Sequence, residues 1–497
     1  MIKQKQNKGF TSKFGFLMAT VGSAVGLGNL WSFPYRVGEG GGAAFVFIYI
    51  IMVCLVGVIA MIGEFVIGKR SGVNVIDTFG GISKWSKWLG YLGVIVPFLI
   101  LCYYQVIGGW SIKYMIDYIG GIGVASGAGN VGGMFGTFTQ SVDMPVVYLF
   151  VFAFVVAIIV LFGVNKGIEK ASKILMPALF VCLIIVVIKS LTLPNASEGL
   201  LFLFKPDFSK VKGSTILSAL GQVFFSMSLG MGINVAYGSY MKDSMNIGKS
   251  SVLIGVMDTV IAMLAGMAIF PAVFSFGLEP TAGPGLLFVV LAEVFASMGP
   301  IVGRIFGAIF FMLVILAAVT SSIALLEVPV QFIVERFHIN RKLASMCVAG
   351  IVFGIGAFIA MSFGVKAFQV EGVDLLTLFD SITNKIILPI TAASTCLLVG
   401  YKVKPKNLMN DLGADTKNKI IIYKIWGFLI RYVTPIGILC VLGIGIYEVF
   451  SGQAGFTTIE GKLAIILSAI VLVVFSIIAN VIANYLYDKK QKNSLQL

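Results

Sequence analysis

The chain has 497 residues, 58% of them hydrophobic and only 12% charged, with a mean hydropathy of +1.00. So little charge cannot cover a water-soluble protein of this length, which excludes a soluble enzyme or binding domain. The net charge of +14 would suit a polyanion, but the cations are spread over alternate loops, which excludes a basic patch for nucleic acid.

The first 13 residues are polar and carry Lys3, Lys5, Lys8 and Lys13. The apolar segment that follows is too long for a signal-peptide core and lacks a small-residue cleavage site, so it is expected to be retained. Apolar stretches of roughly 20 residues then recur, each long enough to cross about 30 Å of hydrocarbon. The expected spans are 14–36, 44–69, 89–118, 144–164, 168–192, 214–240, 249–276, 301–335, 342–363, 373–400, 423–449 and 462–487. Their runs are continuous rather than alternating, which excludes a β-barrel and predicts an all-α integral membrane fold. Lys and Arg fall in every second loop: Lys69 to Lys87, Lys166 to Lys173, Arg336 to Lys342, Lys402 to Lys424, and Lys489 to Lys492. The loops at 120–143 and 278–300 have none. That asymmetry predicts about twelve crossings with both termini cytoplasmic.

Residues 1–497 read as a single membrane domain, with 120–143 as a flexible glycine-rich outer connection. The cysteines (Cys54, Cys102, Cys182, Cys347, Cys396 and Cys440) lie in apolar spans without CxxC spacing and read as small buried hydrophobes. No GxSxG, HExxH or paired-Asp motif, metal cluster or phosphate loop occurs. The lone His338 ends the eighth span beside Arg336 and Arg341 and reads as a surface residue.

Two spans are interrupted. The first carries GSAVGLGNLWSFPY at 22–35, and the sixth carries SLGMG at 228–232. Five spans separate the two positions, so the interrupted spans enter the membrane from opposite sides. Glycines here serve either close helix packing or a helix that unwinds beside a ligand, and the matched pair favours the second. An unwound helix in hydrocarbon must find partners for its freed backbone groups. Freed carbonyls suit Na⁺, and freed N–H groups at the start of a half-helix suit a carboxylate.

The first-span sequence resembles the signature of the neurotransmitter:sodium symporter family. Further similar segments follow: EFVIGKRSG, YYQVIGGW, KGIEKASKILMP, GQVFFSMSLGMG, AGPGL and AAVTSSIALLEVP. The likeness runs from about residue 10 to 487. It implies two inverted five-helix repeats (14–192 and 214–400), with helices 1 and 6 discontinuous, plus two further helices at 423–487. It also implies sodium-coupled amino-acid uptake by alternating access.

Carried over by motif, a first sodium ion is expected on the Ala24 carbonyl, Asn29, Ser226 and Asp258, completed by the substrate carboxylate. A second is expected on the carbonyls of Gly22, Val25 and Ala317 with the hydroxyls of Thr320 and Ser321. The substrate carboxylate is expected at the N–H groups of Leu27 and Gly28 and the Tyr104 hydroxyl. Its ammonium is expected at the carbonyls of Ala24, Phe225 and Ser226 and the Ser228 hydroxyl. Ile100, Tyr104, Phe225, Met231, Ser321 and Leu325 are expected around its side chain. Monoamine carriers of the family have an Asp where Gly26 stands, so Gly26 favours an α-amino acid, and the apolar lining favours a hydrophobic or aromatic one. Asp258 replaces the family's Asn, and Ala262 stands where chloride-dependent relatives have a Ser, so transport without chloride is expected.

The same comparison makes Asp380 the acidic half of an outer gate. Ser32 replaces the usual Arg, and Arg36, one turn on, is its expected substitute. Phe33, Tyr104 and Phe225 would form an aromatic lid. Tyr240 and Glu335 match inner-gate positions; the Arg-x-x-Trp before the first span is replaced by Asn7 and Phe10, with Lys5 or Lys8 in the basic role. Glu64 is expected either to brace the unwound first span or to pair near Lys69 at the membrane edge, and Glu327 is a further carboxylate within a span. Gly167 and Pro177 frame the start of the fifth span, where the family has local unwinding. The implied partners are a small amino acid, Na⁺ and the lipid bilayer, with no organic cofactor, in a monomer or weak dimer. Short termini and the lack of a long glycosylated second outer loop point to a bacterial plasma membrane. An ion channel and a non-transporting sensor of the same fold remain the alternatives.

Overall fold

The structure, a computed structural model, describes residues 9–125, 131–277, 285–405, 419–452 and 456–494. Lys3, Lys5, Asn7, Lys8, most of the loop from 402 to 424, and part of AGPGL lie outside the described residues.

The first expected span is two helices, α1 (Lys13–Ala24) and α2 (Gly28–Glu39), bent by 49° at their junction. Long apolar helices follow: α3 (Ala43–Ser71), α4 (Lys87–Gly120), α5 (Asp143–Leu161) and α6 (Val164–Leu191). The sixth span is again two pieces, α7 (Gly213–Ser226) and α8 (Ile233–Ser239), each too short to cross a bilayer alone. Continuous helices complete the chain: α9 (Ile247–Ser275), α10 (Val302–Phe337), α11 (Arg341–Met361), α12 (Leu375–Val403), α13 (Lys424–Ser451) and α14 (Ile459–Asn484). Among the described residues there is no strand, only one isolated bridge between Val370 and Val373.

Local sequence sets several of these ends. Ser12, Asn246, Asn340 and Asp374 each accept an N–H of the first turn they precede, and Gly72 ends α3 in the left-handed region. Pro34 sits where α2 resumes α-helical geometry, in a first turn that needs no N–H from it. The loops are more ordered than expected: a helix at Val131–Gln140 occupies the 120–143 connection, and Leu286–Ser297 buries Leu287, Leu291 and Phe295 within 278–300.

The core lies along α4 and α10, which pack on each other and are 78% buried over their most apolar windows; α14 is only 22% buried. Phe150 and Phe154 on α5 and Val471 and Phe475 on α14 are left exposed. Such apolar faces are at home in hydrocarbon and not in water. Cys102 and Cys396 are buried as expected, but Cys54, Cys347 and Cys440 lie on that outer surface; all six are unpaired.

Candidate functional site

Both helix breaks face the same place. At the first, Val25 turns extended (φ −80°, ψ 96°), which ends α1. Leu27 N–H, freed from the helix, donates to the Tyr104 hydroxyl of α4 at 2.8 Å. At the second, Ser228, Gly230 and Gly232 take positive φ (52°, 76° and 69°), easy for the glycines and costly for Ser228. Ser228 is held there by Ser23: its hydroxyl donates to the Ser23 carbonyl at 3.1 Å and lies 3.3 Å from the Ser23 hydroxyl.

Glu64 braces the second break and not the first. Its carboxylate accepts Gly230 N–H at 2.8 Å and the Asn234 amide at 3.0 Å. The reason is packing, since α3, which carries Glu64, lies along α8. Lys69 instead donates to the carbonyls of Asp243 and Met245, so the membrane-edge pairing is not made.

Between the breaks lies a cavity of about 20 Å³, space on the order of one or two waters. Of the residues expected around the substrate, Ala24, Gly28, Ile100, Tyr104, Phe225, Ser228, Met231, Ser321 and Leu325 line it. Ser23, Gly26 and Ile233 line it too and were not anticipated as contacts. Leu27 stands behind the wall through its bond to Tyr104, whereas the Ser226 hydroxyl turns away toward Asp258. A Cβ on Gly26 would collide with the Ser321 hydroxyl and the Tyr104 hydroxyl, so a side chain there has to displace both. The walls are drawn together, and a solute larger than water enters only when they part.

Beside the cavity, the Asp258 carboxylate of α9 is fully buried and accepts three donors. These are the Asn29 amide at 2.9 Å, the Ser226 hydroxyl at 2.8 Å and the Tyr49 hydroxyl at 2.9 Å. Asn29 also takes a 3.3 Å bond from Ser226 on its own oxygen. Tyr49 is a member of this cluster that sequence reasoning missed; nothing in its apolar surroundings on α3 marks it. Ala262, one turn beyond Asp258, is buried and offers no hydroxyl.

The second expected group gathers where α1 crosses α10. The Ser321 hydroxyl reaches the carbonyls of Gly22 at 3.2 Å and Ser23 at 3.4 Å. The Thr320 hydroxyl bonds back to Leu316 and Ala317 at 3.1 and 3.0 Å, the usual habit of a mid-helix threonine. Gly22 permits this approach, since a Cβ there would lie 3.0 Å from Thr320 and 3.1 Å from the Met176 sulfur. Each expected donor at the two groups is an oxygen, and one is a carboxylate, which fits a hard cation and not a soft one.

The gates differ from expectation. Arg36 and Asp380 form no ion pair. Arg36 donates to the Ser218 carbonyl and hydroxyl at 3.1 and 3.2 Å and to the Ser32 hydroxyl at 3.1 Å. Asp380 accepts the Asn384 amide one turn along its own helix at 2.6 Å. Ser32 donates to Gln222 at 2.7 Å, and Gln222 donates to the Gly28 carbonyl at 2.9 Å. A line of polar side chains therefore runs from Arg36 to the first break. On the inner side, Tyr240 donates to Glu327 at 2.8 Å and not to Glu335. Glu327 is fully buried and also bound by Arg341, whereas Glu335 is occupied by Asn74 and Gln331. Phe33 packs edge-on against Phe45 and Tyr49 in the core below the outer gate.

The start of α6 is a π-helical turn over Val164–Glu169 and not an unwound segment, and Pro177 sits inside a continuous helix. Gly167 is pressed onto the Ile159 carbonyl. Glu169, which sequence reading passed over among the lysines around it, accepts the N–H and hydroxyl of both Thr11 and Ser12, and Lys173, at 2.6–3.2 Å. It ties α6 to the first turn of α1. Phe10 packs on Phe16, Tyr237 and Tyr240, closing the same end.

The chain matches the model of the sodium:neurotransmitter symporter family over residues 7–121 and 137–485. An uncharacterised sodium-dependent transporter of Bacillus subtilis is 35% identical over 435 residues, 87% of this chain and 96% of the relative. A second, of Haemophilus influenzae, is 36% identical over 451 residues, 88% of this chain and 98% of the relative. The crystal structure of MhsT in complex with L-phenylalanine superimposes with a TM-score of 0.80 at 38% identity, covering 88% of this chain and 99% of MhsT.

Proposed function

The chain belongs to the sodium:neurotransmitter symporter family and is a sodium-dependent membrane transporter, and from that premise we propose that it imports a hydrophobic L-amino acid, aromatic ones included, without chloride. The observation that carries this reading is the small, mostly apolar cavity set between two helix breaks. Tyr104 accepts the Leu27 N–H and keeps its own proton to donate to a carboxylate; the Leu27 and Gly28 N–H groups complete that end. The Ala24, Phe225 and Ser226 carbonyls and the Ser228 hydroxyl receive the ammonium. Ile100, Phe225, Met231 and Leu325 meet an apolar side chain, and L-phenylalanine bound in MhsT supports the aromatic end of the range.

Two sodium ions travel with the amino acid. The first is held by Ala24, Asn29, Ser226 and Asp258 together with the substrate carboxylate, which couples the two cargoes. Gly22, Val25, Ala317, Thr320 and Ser321 hold the second. Residues 14–192 and 214–400 act as inverted repeats, with 423–487 outside them; the matched breaks support this division. In a bacterial plasma membrane both termini lie in the cytoplasm, as the alternating basic loops favour. The Tyr240–Glu327–Arg341 cluster closes the inner end, and Arg36 and Asp380 approach one another when the outer end closes. The transporter works as a monomer or weak dimer.

Competition against radiolabelled leucine uptake in proteoliposomes tests the reading. Leucine, methionine, phenylalanine and tryptophan should compete, aspartate and lysine should not, and replacing chloride by gluconate should change nothing. Flux without accumulation would make the chain a channel, and binding without flux a sensor. A second expectation follows from the crowded space at Gly26. Gly26→Ala must push the Tyr104 and Ser321 hydroxyls apart, and half-saturating substrate should rise at least about tenfold, roughly 1.4 kcal/mol. An unchanged value would remove Gly26 from the site.

A further inference from the structure

A second, larger groove of about 560 Å³ lies far from the transport cavity in sequence and shares none of its lining residues. Its size is within the range of small-molecule sites, about 300–1,000 Å³. It opens between the turn leading into α4 and the last turns of α12, where the helix relaxes into a π-helical segment over Leu398–Val403. Asn480 and Asn484 of α14 reach the carbonyls of Trp85 and Lys84 alongside it.

The lining combines two chemistries. Trp85, Trp88, Leu397, Leu398 and Tyr401 give an apolar wall, and Trp85 is 73% exposed. Lys402 stands at one end, none of the ten lining residues is acidic, and Ser83 and Ser394 contribute hydroxyls. A second cation adjoins it: the Arg431 guanidinium lies 6.0 Å from the Tyr401 ring while its Nε donates to the Gly400 carbonyl. Trp and Tyr settle at the membrane–water boundary, and basic pockets between helix ends on the cytoplasmic side attract anionic headgroups. A neutral lipid would bring no counter-charge to these cations, which form no ion pair among the described residues, and a peptide would leave an apolar wall facing acyl chains.

We propose that this groove binds one anionic phospholipid of the inner leaflet, its phosphate between Lys402 and Arg431 and an acyl chain laid across Trp85, Trp88 and Leu397. The lipid would join α4, α12 and α14 at their inner ends. The inner-leaflet assignment rests on the topology proposed above; binding itself does not.

The test is the unfolding temperature of the full-length chain in neutral detergent. Added dioleoylphosphatidylglycerol should raise the midpoint by at least about 5 °C, since a ligand of the folded state alone stabilises it. Dioleoylphosphatidylcholine and soluble glycerol 3-phosphate should not. Lys402→Glu and Trp85→Ala should each raise the phosphatidylglycerol concentration required at least about fivefold, while the stabilisation given by sodium stays as in the unaltered chain. Equal stabilisation by phosphatidylcholine would make this ordinary lipid contact, reproduction by glycerol 3-phosphate would make it a phosphate site, and an unaltered response of both variants would move it elsewhere. Each of these outcomes overturns the proposal. Sodium failing to stabilise the unaltered chain would instead count against the symporter reading, with the lipid comparison still readable.

Discussion

Asp258→Asn is expected to lower uptake at limiting sodium at least tenfold, and chloride should not restore it. The carboxylate is buried and accepts hydrogen bonds from Asn29, Ser226 and Tyr49 at 2.8–2.9 Å. Hydrogen bonds to a charged acceptor are worth about 1.5–3 kcal/mol each, and removing one such bond accounts for a tenfold change or more. The new amide nitrogen would also either face the Asn29 amide, donor against donor, or force the Ser226 or Tyr49 hydroxyl to turn from donor to acceptor. The neutral variant has no negative charge beside the first cation group and, with Ala262 buried one turn away, no hydroxyl there to hold a chloride. Adding Ala262→Ser to Asp258→Asn should therefore give uptake that rises with chloride. The measurement is half-saturating sodium in chloride and in gluconate. Wild-type values for the single variant in both salts would remove Asp258 from the coupling machinery.

Glu64→Ala should have the largest effect on stability. It orphans the Gly230 N–H and deprives the Asn234 amide of its 3.0 Å acceptor, both buried. The Asn234 amide keeps the Met227 and Ser228 carbonyls at 3.2 and 3.4 Å, so the cost falls mainly on the Gly230 N–H, about 1–3 kcal/mol for an unsatisfied buried group. The thermal midpoint in detergent should fall by several degrees, and sodium should recover little of it because the second break no longer holds its shape. Glu64→Gln keeps one acceptor oxygen and should fall between the two. A Glu64→Ala chain that melts with the wild type would mean that Ser23 and Ser228 alone hold that break.

Much of this architecture could be read from the sequence. Continuous apolar runs separated by alternating basic loops mark the membrane helices, and glycines among small polar residues mark the breaks. Nine of the cavity-lining residues follow from motif positions on α1, α2, α4, α7, α10 and the second break. The polar partnerships were harder to read. Glu64 chooses between two breaks, Tyr240 between Glu327 and Glu335, and Arg36 between Asp380 and Ser218. Those choices depend on helix rotation and depth, and chain spacing fixes neither. Gln222, Tyr49 and Glu169 were missed for a related reason: each bonds to residues more than 150 positions away, and the one local partner among them, Lys173 beside Glu169, reads as an ordinary i,i+4 pair. The helix at Val131–Gln140 was hidden by its glycines, which read as a flexible connection, and Leu286–Ser297 was passed over because it is too short to cross a membrane.

The line from Arg36 through Ser32 and Gln222 to the Gly28 carbonyl has a mechanical corollary. Its links are short, and its far end is part of the floor on which a solute would rest. A swing of the guanidinium toward Asp380 that also broke its Nε bond to Ser32 would loosen the hold of Ser32 and Gln222 on the Gly28 carbonyl. On the proposed gating role of Arg36, door and seat would then share one set of hydrogen bonds, and a change at either would be felt at the other.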